Sequence, residues 1–135
     1  MENNNKLLTA LKEKHVLNKI ATDSDTYSLF TLDKEKNKNY IILRNGICSN
    51  DEISCVQNFI DCLDKKKFFN ATFIFIAFVK EDFKEDEYLK FNGNLFLHTL
   101  SYNLTTGKFI SDKTFYYWGS KKIKQFFDDI EQIVL

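Results

Sequence analysis

Two histidines, three cysteines and a short acidic run are the side chains of this 135-residue sequence whose types could support catalysis or metal binding. His98 alternates with Phe96, Leu100 and Tyr102, so a strand would set it on one face among aromatics. No Ser, Cys or Asp stands at a motif spacing that would orient His15 or His98 as a general base. A zinc site needs three or four ligands, and neither HxxxH nor CxxC spacing occurs. Cys48, Cys55 and Cys62 recur every seven residues. Cys55 and Cys62 would share a helix face, too far apart for a disulfide within a regular helix. Reduced thiols are expected, two of them buried. Glu81-Asp82 and Glu85-Asp86-Glu87 form the densest acidic stretch, but Phe83 and lysines interrupt it and it holds no glycine. A calcium loop needs alternating oxygen ligands around a central glycine, so this stretch reads as a solvated loop. Gly119-Ser120-Lys121-Lys122 could offer free amides and ammoniums to a phosphate. The full P-loop pattern is absent, which leaves an ordinary helix cap.

Phe115-Tyr116-Tyr117-Trp118 is the most informative run. In a strand Tyr116 and Trp118 share one face and Phe115 and Tyr117 the other, so one pair enters the core. Tyr116 and Trp118, with Lys113 beside them, are the candidate contact residues for a partner, because rigid aromatics supply large area at low entropy cost. The alternative is a small enzyme or small-molecule pocket between sheet and helix, built from His98, Tyr102 and Asp112.

The elements that would position these residues follow from patterning. Leu7, Leu8, Leu11 and His15 predict a helix over residues 5–20. Residues 27–44 read as a hairpin, with strands Tyr27 to Leu32 and Tyr40 to Arg44. Ser49-Asn50-Asp51-Glu52 fits a capping box, opening a helix whose apolar half holds Ile53, Cys55, Val56, Phe59, Ile60, Cys62 and Leu63. Ala71 to Val79 is apolar on both faces and should be a central strand. Leu95 to Leu104 and Phe109 to Trp118 predict a second hairpin around Thr105-Thr106-Gly107-Lys108. The last helix carries an apolar stripe of Ile123, Phe126, Phe127, Ile130, Ile133 and Val134, with Lys122, Gln125, Asp129 and Gln132 opposite. The expectation is a single α+β domain over 1–135. It has a mainly antiparallel sheet of about five strands and three packed helices, in the order α-β-β-α-β-β-β-α.

That order resembles the α-β-β-β-α-β core of restriction-type nucleases and of accessory domains derived from it. The resemblance implies an Asp and, on the next strand, Glu-x-Lys to hold magnesium. Here the second strand reads Tyr40-Ile41-Ile42-Leu43-Arg44, without a carboxylate, so the active site would be missing.

Composition narrows the class further. Nineteen basic and nineteen acidic residues cancel, which gives no field drawing the chain onto nucleic acid or anionic lipid. No apolar run approaches a membrane span, and the first residues lack the layout of a secretory signal, so a cytoplasmic protein is expected. Eighteen lysines to one arginine, with no proline, point to an AT-rich bacterium or its phage. The reading is a non-catalytic inhibitor, immunity or accessory module that needs no cofactor or metal. It would bind a protein partner, and an edge strand could also support a homodimer.

Overall fold

A strand with no polar face must be covered on both sides, and Phe73 to Val79 is such a strand. The computed structural model describes residues 2–32, 39–49, 53–64, 66–68, 71–84, 97–111 and 121–135, with the backbone alone for 53–54 and 121–123. Its elements are α1 (Glu2–Lys12), β1 (Leu17–Ile20), β2 (Tyr27–Leu32), β3 (Asn39–Ile47) and α2 (Ile53–Asp61). They continue with β4 (Thr72–Val79), β5 (Leu97–Asn103), β6 (Lys108–Ser111) and α3 (Lys121–Glu131). The six strands form one sheet in the order β1-β2-β3-β4-β5-β6. β4 lies between β3 and β5 and is buried from Phe73 to Val79.

The sheet is mixed, which corrects the expectation of a mainly antiparallel one. β1–β2, β2–β3 and β5–β6 pair antiparallel, but β3–β4 and β4–β5 pair parallel. The cause is the crossover: α2 carries the chain back before β4 begins, so β4 runs in the direction of β3.

A sixth strand replaces the end of the expected first helix. α1 stops at Lys12, the amides of Lys14 and His15 close its last turn onto the Leu11 carbonyl, and β1 follows. Val16, Asn18 and Ile20 are weaker helix formers, and pairing of Leu17 with Leu32 and Ile20 with Leu29 decides the outcome. The first six elements therefore run α-β-β-β-α-β.

Alternation along the strands divides the core into two layers. One sheet face presents Phe30, Ile41, Leu43, Ile74, Ile76 and Leu100 to Leu7 and Leu11 of α1 and to Phe126, Phe127 and Ile130 of α3. The other presents Leu29, Ile42, Phe75 and Val79 to Val56 of α2, with Phe59, Ile60 and Leu63 partly buried beside it. Asp129, expected on the solvated side of the last helix, is buried, and Val134, expected in its apolar stripe, is 94% exposed. Only Cys48 of the three free thiols is buried; Cys55 is exposed on α2 and Cys62 is exposed just after it. The expected capping residues Asn50, Asp51 and Glu52 lie outside the described residues.

Two turns depend on glycine. Gly46 has φ of 83° within the register shift between Leu43 and Ile47, and Gly107 has φ of 71° in the β5–β6 turn. Phe75, fully buried and edge-on to Tyr27, fixes the centre of the second layer. Phe75→Ala should cost about 3–5 kcal/mol in urea titration. A loss below about 1 kcal/mol would mean that the layer collapses around the gap.

Candidate functional site

The residues singled out in the sequence are only partly assembled. His98 and Tyr102 share one face of β5, with Leu100 between them. At two-residue steps of about 6.6 Å their Cα atoms stand roughly 13 Å apart along the strand. His98 is 7% exposed and meets Phe127 of α3 edge-on, so it packs between sheet and helix. Tyr102 stacks edge-on to Phe78 and to Phe109. Asp112, Lys113, Tyr116 and Trp118 lie outside the described residues. Among the described residues, no three His, Cys, Asp or Glu side chains gather into a metal-binding group.

The opposite face of the sheet carries a feature that the sequence did not reveal. A cleft of about 680 Å³ opens between the β1–β2 turn and α2. Tyr27, Leu29, Phe59, Leu63 and Phe68 supply its apolar surface. Asp23, Ser24, Asn58, Asp64 and Lys67 supply its polar groups, and the exposed Cys55 on α2 and Cys62 just after it also line it. Its aromatic rings brace one another: Tyr27 lies 5.3 Å from Phe59, and Phe68 lies 4.9 Å from Tyr40. The Lys67 ammonium sits 5.7 Å over the Phe68 ring, and it offsets one of the two carboxylates, Asp23 and Asp64, in the lining.

The turn wall of this cleft is held from several directions. The Ser24 hydroxyl accepts hydrogen bonds from the amides of Thr26 and Tyr27, both at 3.2 Å. Asn45 of β3 donates its backbone amide to the Thr26 carbonyl and its side-chain amide to the Asp25 carbonyl and the Ser28 hydroxyl. Asn4 of α1 in turn donates to the Asn45 side-chain carbonyl at 3.1 Å. A wall fixed by this many bonds loses little entropy when a ligand closes against it.

A second polar group joins the ends of the chain. His15 Nε2 lies 2.9 Å from Asp129 Oδ2, Gln125 Nε2 donates to Oδ1 at 2.9 Å, and Lys14 Nζ is 4.0 Å away. A carboxylate only accepts, so His15 Nε2 carries the proton of this bond. Burial pushes the Asp129 carboxyl up, but the hydrogen bonds from Gln125 and His15 and the nearby cations outweigh it. The result is a carboxyl held below its ordinary value. With the His15 ring 5.2 Å from Phe126, the group reads as a clasp between the α1–β1 connection and α3. Its partners stand 114 residues apart, a separation at which no local pattern could announce the pair.

No protein-family model, curated protein or solved structure matches the chain. Among the described residues no helix is long and apolar enough to cross a membrane.

The clasp makes a pH-dependent prediction. A carboxyl lowered by folding adds stability above its ordinary pKa of 3.8 and loses it as pH falls through the folded value. Asp129→Asn should therefore lower stability by about 1–2 kcal/mol near pH 7 and by less near pH 3. Urea titrations at the two pH values check this; an equal loss at both would show that the charge of Asp129 contributes nothing.

Proposed function

We propose that the protein is a non-catalytic binding module that grips a protein partner through the cleft between the β1–β2 turn and α2, working in the cytoplasm without a cofactor. The cleft itself carries this reading. It combines an aromatic floor, a polar rim and a wall braced by Ser24, Asn45 and Asn4, the anatomy of a surface that buries an apolar anchor. The element order supports it from another side, since it resembles a nuclease core while β2 and β3 carry no carboxylate. Tyr116, Trp118 and Lys113, in the segment after β6, belong to the proposal as a separate contact surface. A small-molecule pocket is the second reading, favoured by a cleft volume within the range of about 300–1,000 Å³ usual for such sites.

Filling the cleft from either wall tests the proposal. Ala21→Trp and Asn58→Trp should keep the wild-type melting temperature yet lose most capture of the partner from a lysate of the source organism. In the free protein a maleimide should label Cys55 and Cys62 rapidly and Cys48 slowly, and the captured partner should protect the first two. Equal capture by wild type and both filled variants moves the function off the cleft. A bound metabolite seen by native mass spectrometry, displaced by both variants, would establish the second reading instead.

A further inference from the structure

The cleft does not end at the hairpin turn; it continues to an open edge of the sheet. β1 is the first strand in the sheet order, and no described strand pairs on its outer side. Its central residues Asn18 and Lys19 are exposed. Ile20, at the end of β1, is half-buried, packs against the α2 layer and lines the cleft. Residues paired across neighbouring strands point to the same face. A seventh strand beside β1 would therefore place alternate side chains next to Ile20, at the mouth of the cleft and facing Phe59 and Leu63.

We propose that β1 accepts an extended segment of the partner as an added strand, with an apolar side chain entering the cleft and a lysine or arginine two residues along on the same face. This rests on the binding-module reading above and names what the module recognises. Strand addition supplies backbone hydrogen bonds, and the cleft supplies the side-chain selectivity that an edge alone lacks. The cationic requirement comes from the lining, where the two carboxylates of Asp23 and Asp64 outnumber the one ammonium, that of Lys67 over Phe68. The short strand and Lys19 limit self-pairing, consistent with an edge kept for another chain.

The test uses the full chain and a blocked pentapeptide of threonines with phenylalanine second and lysine fourth, followed by amide NMR. Saturable shifts should appear at residues 17–20 and along α2. N-methylation of the peptide backbone should abolish them. Replacing the peptide lysine with glutamate, or making Asp23→Lys with Asp64→Lys, should weaken binding about fivefold, as expected for two exposed charge pairs. Equal binding of the N-methylated peptide rejects strand addition, and indifference to both charge reversals rejects the cationic motif. No shifts at all, with capture still lost in Ala21→Trp and Asn58→Trp, rejects the β1 proposal while the cleft reading survives. A solution mass of twice the 16.0 kDa chain, reduced to one chain by proline at Asn18, would make a second copy the occupant and overturn the partner segment.

Discussion

Burial of β4 on both faces is the constraint from which the other layers follow. Seven consecutive apolar side chains alternate between faces, so one helical layer cannot cover them. α1 and α3 close one face through Leu7, Leu11, Phe126, Phe127 and Ile130, and α2 closes part of the other through Val56 and its neighbours. The parallel pairing of β4 with β3 across α2 has the same origin. A chain that must place helical cover between consecutive strands returns in the original direction.

Polar groups then fix how the layers meet. Asn4 reaches from α1 to Asn45, and Asn45 holds the β1–β2 turn, so a helix on one face determines the shape of a cleft on the other. The His15–Asp129 clasp ties the start of β1 to α3 on the side away from the cleft. Both are contacts between segments distant in sequence, made by residues whose types are ordinary for solvated loops.

That distance explains what the sequence disclosed. Phe73 to Val79 announced a central strand because its patterning is local and admits no other burial. β2 and the β5–β6 pairing were legible for the same reason, through alternation and the turn at Gly107. β1 was hidden because Leu8, Leu11 and His15 satisfy helical spacing, while the strand is only four residues long and is decided by pairing with β2. Cys55 and Cys62 fell on the apolar half of α2 by angle alone. In the structure both are exposed and line the cleft instead. The cleft itself was illegible, since residues 20–29 and 55–68 read separately as a turn and an amphipathic helix.

The geometry of cover accounts for the cleft's position. Strands stand about 4.8 Å apart, so six of them span roughly 24 Å, while a helix with its side chains is about 10–12 Å across. On the face where two helices dock, the widths nearly match, and Leu17 of β1 is buried there. On the other face α2 packs against residues of β2, β3 and β4, leaving Ile20 at the β1 side only half covered. The uncovered width is filled by no described element, and the half-buried Phe59 and Phe68 line it beside the buried Tyr27. Among the described residues the cleft adjoins the sheet edge, where helical cover stops short of β1. The aromatic surface and the edge of β1, on whose outer side no described strand pairs, are thus two aspects of one shortfall in cover, and the proposed extended segment would meet both at once.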